Sequence, residues 1–383
     1  MRWRFPDPSE EQARRRVVGH IDAFWKSFRE QEEALRGGLE GRRSLDFAWL
    51  DQHLKDIHPS LTWEIAFPGG ASWRLALSAE HRLNPLIAKI LERAPRDLSW
   101  EFLGTRPPKG EQEASSFSER ATGHALDGWS CRVDPGDHRL MTLHFGVPGC
   151  KTPEDKQARL AARIAADALL GGYLFERWVG AVRVLPAEEL EGGEPLSALL
   201  PAVERGREAL LGQLPALPVH ATIEEAPWTL YKYNPRRRPD YPFRFDLFVG
   251  KAANPALWGC AHARVPFYSE RFSRVGETFA YLKFDGEEGF GDGGFDDKSE
   301  VEDALDEALG EARLGCVIGG GSGLRYGYID LALLDVKAAA DVIGRVLRDG
   351  KAPRRCWLLF FDDDLAAEWL SFRPKTPPPP GVT

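Results

Sequence analysis

Eleven carboxylates and one lysine fall within the 23 residues 285–307, DGEEGFGDGGFDDKSEVEDALDE. Their local charge of −10 exceeds the formal −8 of the whole chain, so the other 360 residues sum to +2. Carboxylates at this density could hold Ca²⁺ or Mg²⁺, which take several oxygens each. The spacing, however, is not D-x-[DN]-x-[DN]-G, and no glutamate closes a loop of that kind. Glu300, Glu302 and Asp303 read as the first turn of a helix. There a carboxylate gains about 0.3–1 kcal/mol from the macrodipole. Asp285, Glu287, Glu288, Asp292, Asp296 and Asp297 remain as a candidate surface for a basic protein partner. Asp362, Asp363 and Asp364 read as capping residues of a final helix before Trp369.

The opposite charge gathers at Arg236, Arg237 and Arg238, between Tyr231-Lys232-Tyr233 and Phe243-Arg244-Phe245. Basic residues interleaved with aromatics can grip single-stranded nucleic acid through phosphates and stacking. The aromatics alternate at period two, however, as in a hairpin whose inner face is core. The arginines are then a candidate anion patch on an exposed connection. Gly319-Gly320-Gly321-Ser322-Gly323 invites comparison with a phosphate loop, but a strand pattern follows it rather than a helix, and no GK[ST] is present. A wide hairpin turn or bulge is the expectation there.

His53 and His58 are five apart and cannot form a zincin pair. His138 and His144 read as two residues on one face of a strand, with no further ligand nearby. No G-x-S-x-G occurs, and the five cysteines (131, 150, 260, 316, 356) contain no CxxC pair. The thiols fit a reducing cytosol and an inert core. No metal, cofactor or catalytic residue is assigned by these patterns.

These residues need elements to hold them. Helical periodicity covers 8–35, 44–57 (Ser44 as N-cap, Leu45 facing inward), 84–94, 152–170 and 196–211. Strand patterns cover 61–67 and 72–78 across the turn Pro68-Gly69-Gly70, then 98–103, 129–133, 140–147 and 179–185. Residues 106–118 read as an exposed loop. Further strands are expected at 228–233, 243–249 and 261–267. The last unit is the clearest: strand 278–284, helix 300–312, hairpin 314–318 and 325–334, helix 336–347 and strand 356–361. That β-α-β-β-α-β order is the ferredoxin-like one. The expected class is α+β, antiparallel sheets with helices on one face.

At 383 residues, 43% hydrophobic and with twelve tryptophans, the chain can build more than one core. The expected division is a helical segment 1–58, an α+β domain 59–190, a bridging helix and linker 191–226, an α+β domain 227–371, and a disordered Pro-rich tail 372–383. The acidic balance argues against a general nucleic-acid binder. No apolar run approaches the roughly 18 residues a membrane span needs, and the N-terminus lacks the apolar core of a secretory signal. A cytoplasmic location is expected.

Residues 61–107, LTWEIAFPGG…LSWEFLGTRPP, resemble uncharacterised bacterial domain-of-unknown-function proteins near the ribonuclease E regulator B family, through Trp63, Glu64, Pro95, Trp100 and Arg106. Residues 303–335, with EALGEARLGCVIGGGSGLRYGYIDLALLD, resemble small ferredoxin-like domains among bacterial toxin-immunity proteins. Together these cover about a third of the chain, and neither carries catalytic residues onto it. The resemblance implies a cytosolic, non-enzymatic α+β protein that acts through protein contacts. The leading expectation is therefore a non-catalytic binding or regulatory protein, immunity-like, whose acidic loop meets a basic partner. The alternatives are a hydrolytic or metal-assisted enzyme with a carboxylate-lined cleft between the two halves, and a weak single-stranded nucleic-acid binder acting through Arg236–Arg238.

Overall fold

A computed structural model describes residues 1–41, 46–66 and 72–382. The Ser44 cap, Leu45, and the strand end and turn at 67–70 lie outside the described residues. The chain is α+β and divides into two compact units, 1–136 with 140–204, and 205–383 with 137–139.

In the first unit, helices α1 (Glu11–Leu39) and α2 (Ala48–Ile57) precede β1 (Thr62–Ala66) and β2 (Trp73–Ser78), then α3 (Asn84–Glu92) and β3 (Trp100–Leu103). Ile21, Phe24, Trp25 and Phe28 recur at helical spacing and pack with Leu50, Leu54, Leu75, Leu77 and Ile90. Each such side chain contributes about 1.5–3 kcal/mol by leaving water. The N-terminal helices thus share one core with the first sheet instead of standing apart. β1 and β2 are antiparallel, but β2 and β3 are parallel, because α3 carries the chain back across the sheet.

Residues 106–118, expected as a loop, enter helix α4 (Glu111–Thr122). Glu111 and Glu113 in its first turn and Gly123 in the left-handed region at its end favour a helix. Its buried face is only Ala114 and Ser118, so no apolar stripe announces it. After β4 (Ser130–Pro135) and β5 (Met141–Val147), α5 runs from Lys156 to Trp178, not to Leu170. Gly171 interrupts it at φ 71°, where the backbone of Arg106–Pro108 passes too close for any Cβ. β6 (Val179–Pro186) returns parallel to β5, so this sheet too is mixed, and β7 (Glu194–Pro195) closes its order β6-β5-β4-β7. His138 lies in a turn at φ 56°, off the strand that carries His144.

The second unit begins within α6 (Leu199–Gly212). β8 (Thr229–Lys232) and β9 (Leu247–Ala252) pair antiparallel. Residues 261–267, expected as a strand, hold instead the end of helix α7 (Pro255–Ala263) and the turn after it; the helix starts with Asn254 as N-cap and Pro255 in its first turn. Then come β10 (Thr278–Asp285), α8 (Lys298–Glu311), β11 (Gly315–Gly323), β12 (Tyr326–Leu333), α9 (Val336–Asp349), β13 (Cys356–Phe360) and β14 (Leu370–Ser371). The seven strands lie in the order β14-β13-β10-β12-β11-β9-β8. The expected β-α-β-β-α-β order is present, extended by β9 and β8 on one side and β14 on the other.

Of the turn or bulge expected at the glycine cluster, the bulge is found. The glycine cluster is no turn: Gly319, Gly320 and Gly321 pair with β12 on one side and β9 on the other, with a bulge between Val317 and Gly319. Described residues of the tail touch the second unit: Trp357 Nε1 donates to Pro377 O at 2.7 Å, and Val382 packs on the core. All five cysteines are buried free thiols, and no helix among the described residues is long and apolar enough to cross a membrane.

Candidate functional site

Pairing places Phe279, Tyr281, Lys283 and Asp285 of β10 opposite Ala332, Asp330, Tyr328 and Tyr326 of β12, so these eight side chains share one face of the seven-stranded sheet. The intervening residues, such as Ala280, Leu282, Ile329 and Leu331, turn to the other face. The first face carries unusual polarity. Asp330 is fully buried, and the Arg244 guanidinium meets it, Nη1 at 2.8 Å and Nη2 at 3.2 Å. Trp258 Nε1 adds a hydrogen bond at 3.0 Å. Arg244 also lies over the Trp258 ring at 4.2 Å and against Tyr281, Tyr328 and Phe361 at 5.1–5.3 Å. Burial pushes the Asp330 carboxyl upward, and Arg244 opposes that rise.

Glycines make this stack possible. A Cβ on Gly250 would enter the Trp258 indole, and one on Gly319 would sit 3.2 Å from Asp330 Oδ2. Tyr231, Trp258 and Tyr233 stack nearly parallel, with centroids 5.1 and 6.1 Å from the indole. A cleft of about 650 Å³ opens beside them, walled by Tyr233, Phe243, Phe245, Trp258 and Phe361, with Arg244, His262, Arg264 and Asp363 among its polar residues.

A second polar layer adjoins it. Buried Asp246 accepts from the backbone N–H of Arg325 at 3.0 Å and of Tyr326 at 2.9 Å, and from the Tyr328 hydroxyl. Buried Lys283 donates to the carbonyls of Tyr241 and Phe243 and lies 4.1 Å from the Tyr326 centroid. Burial draws its ammonium down to about 8. These contacts pin residues 241–246 to the sheet.

The acidic residues are largely engaged by the protein itself. Asp285, 2% exposed, meets Arg325 at 2.8 Å and Arg355 at 3.2 Å. Glu288 accepts from the backbone N–H of Arg354 at 2.6 Å and of Arg355 at 3.0 Å. Asp297 caps α8 by accepting from Ser299 and Glu300. Glu287, 71% exposed in its side chain, reaches Arg325 at 3.7 Å, while Asp292 engages Lys351 through its carbonyl. Asp296 is exposed and uses its N–H toward Glu300. Asp362 accepts from the N–H and hydroxyl of Ser269, and the segment it opens is a short 3₁₀ turn over Asp363–Leu365, not a helix.

Arg236, Arg237 and Arg238 are exposed, and no side-chain partner is found for them among the described residues. Residues carrying the sequence resemblance have structural tasks: Glu64 pairs with Lys109, Arg106 with Asp167 at 2.8 Å, and Trp63 and Trp100 donate to Asp51 and Glu32. Arg244, Asp330, Lys283 and Asp246 escaped the sequence reading. For Lys283 and Asp330 the signal was a charge at an inward position of an apolar strand, as in FAYLKF and YGYID; Arg244 and Asp246 lie outside the strands and carry no such signal. Among the described residues no three His, Cys, Asp or Glu come together as a metal site.

The second unit is thus an α+β layer with α8 against the sheet face that carries Ile329, and an aromatic, charge-bearing cleft, with α7 beside it, on the other. Comparison with protein-family models, with curated proteins and with solved structures finds no match.

Proposed function

We propose that this chain is a non-catalytic protein-binding protein and that its partner meets the β8–β9 margin of the second unit. One observation carries the reading. Twelve large apolar side chains are exposed among the described residues, and six of them, Trp228, Leu230, Phe243, Phe245, Phe248 and Val249, fall within residues 228–249. Strand alternation divides them, Leu230 and Val249 on one face of the margin and Phe248 on the other, so the margin is apolar and exposed on both sides, as an interaction surface is. The free charge beside it is positive: Lys232 and Arg236–Arg238 are exposed, whereas Asp240 is held by Arg355 and Tyr326. An acidic partner therefore fits better than the basic one expected from the 285–297 loop, whose strongest carboxylates are already satisfied. The resemblance to immunity and regulator proteins accords with a binding role. The rings of Tyr231, Tyr233 and Trp258 are stacked on one another, so they are not splayed to receive successive bases.

Crosslinking pull-downs from cells that express the protein test this. Leu230→Asp and the triple exchange of Arg236, Arg237 and Arg238 to Glu should abolish recovery of the partner, while Asp292→Asn with Asp296→Asn should not. The reverse pattern would restore the acidic loop as the surface.

A further inference from the structure

Resting on that surface, we infer that β8 is a docking strand: an extended segment of the partner, with acidic and apolar residues two apart, joins the sheet beside it. β8 ends the strand order, and nothing among the described residues pairs with its outer side. The ladder fixes which groups are free. Tyr233 N–H donates to Phe248 O at 2.8 Å, so the odd residues of β8 turn their peptide groups toward β9. Antiparallel alternation then directs the N–H and C=O of Leu230 and Lys232 outward, four groups available to a new strand.

Side chains on this margin supply the selectivity. Register pairs Leu230 with Lys251 and Lys232 with Val249, which places all four on one face. Leu230 is 80% exposed and Val249 40%. Lys251 lies over exposed Trp228 at 5.4 Å and reaches Glu302 at 3.5 Å. An incoming strand would therefore set an apolar residue opposite Leu230 and a carboxylate opposite Lys232, its next residues meeting Arg236–Arg238. Short length and a lysine are also how proteins guard bare edges against pairing. A guarded edge has no use for Leu230 at that exposure with Val249 and Trp228 alongside, so Lys232 is assigned as a selector of acidic strands. Strand addition draws affinity from main-chain bonds and specificity from alternate side chains, which is the division found here. Nucleic acid could not use the free peptide groups in this way.

The probe is a blocked nonapeptide, Val-Thr-Glu-Thr-Val-Thr-Glu-Thr-Val, which puts valines and glutamates on one face. Titration of the full chain should show binding, with hydrogen exchange of the Leu230 and Lys232 amides slowed at least about tenfold. Replacing both glutamates by lysine, or exchanging Leu230→Lys in the protein, should each weaken binding by about tenfold or more. A peptide with N-methyl groups along one edge should also bind less well, a control that needs no altered protein. Binding without protection of those two amides would overturn strand addition and leave the surface assignment standing. No binding, or equal binding of the lysine peptide, would overturn the inference. So would protection of the same amides in the protein alone that rises with its concentration, because a second copy would then be the occupant. Loss of the natural partner in the Leu230→Asp pull-down tests the surface independently of this peptide.

Discussion

Replacing Arg244 by leucine isolates the most demanding interaction in the second unit. Asp330 is fully buried and Arg244 retains 11% of its side-chain exposure, so the exchange strands a carboxylate with Trp258 Nε1 as its remaining hydrogen-bond donor. Breaking a buried pair in this way costs about 3–5 kcal/mol, a large part of a typical domain stability of about 5–15 kcal/mol. The double variant Arg244→Leu/Asp330→Leu removes both charges from an aromatic surround. It should recover to within about 1–2 kcal/mol of wild type, since apolar replacement of a buried pair is often neutral. Urea unfolding followed by tryptophan fluorescence measures both. The single variant carries a pH signature as well. Without Arg244 the folded Asp330 carboxyl rises further above its unfolded value of 3.8, and the folded state binds the extra proton. Its stability should therefore increase as pH is lowered toward 3.8, opposite to a salt-bridged carboxylate. A single-variant loss below about 1 kcal/mol, or a double variant weaker than the single, would refute the reasoning.

Gly250→Ala should destabilise the second unit by about 1–3 kcal/mol by driving a methyl into the Trp258 ring, again read from urea midpoints. Glu288→Ala should cost about 1 kcal/mol by leaving the Arg354 and Arg355 amides without their acceptor, whereas Asp292→Asn should be neutral within about 0.5 kcal/mol in the same assay. Lys283 titrates near 8 when folded against an ordinary value of 10.5, so between those values the unfolded chain binds more protons and stability should rise with pH. Chemical denaturation from pH 7.5 to 10.5 should show that rise in wild type and a reduced slope in Lys283→Met.

Periodicity made α8, α9 and the strands around them legible, because their inward residues recur at 3.6 or 2 and a single core selects them. What it could not reach depends on distant residues. Three glycines in a row look the same whether they make a turn or lie flat between two strands. Here one of those strands is β9, which pairs Gly320 with Lys251, far upstream in the chain. Helix α4 was lost for the opposite reason: Ala114 and Ser118 bury an inner face so small that the segment reads as polar. The segment 261–267 has strand-like composition, but Asn254 and Pro255 had already started a helix that ends only at Ala263. The cleft was legible only as aromatic alternation, since its central pair joins residues 86 positions apart.

Charge shows the same limit, and with more consequence for function. A local sum of −10 describes a stretch of chain, not a surface. Asp285 faces Arg325 and Arg355, Glu288 holds two backbone amides, and Asp297 is spent on a helix start. The bases that answer the loop come from residues 325 and 351–355, so they are invisible to a window that ends at 307. The three arginines at 236–238 have no such answer, because Asp240 faces Arg355 and Tyr326, and Asp246 is buried beneath the hairpin of β11 and β12. On the proposed reading the partner meets the unanswered arginines instead of the loop and is therefore acidic. If the partner is acidic, its association rate should fall as salt rises, since exposed charges about a Debye length apart, roughly 8–10 Å, are screened near physiological ionic strength. Exchanging Arg237→Gln should flatten that dependence and Asp296→Asn should leave it unchanged. The opposite result would put the working charge back in the acidic loop.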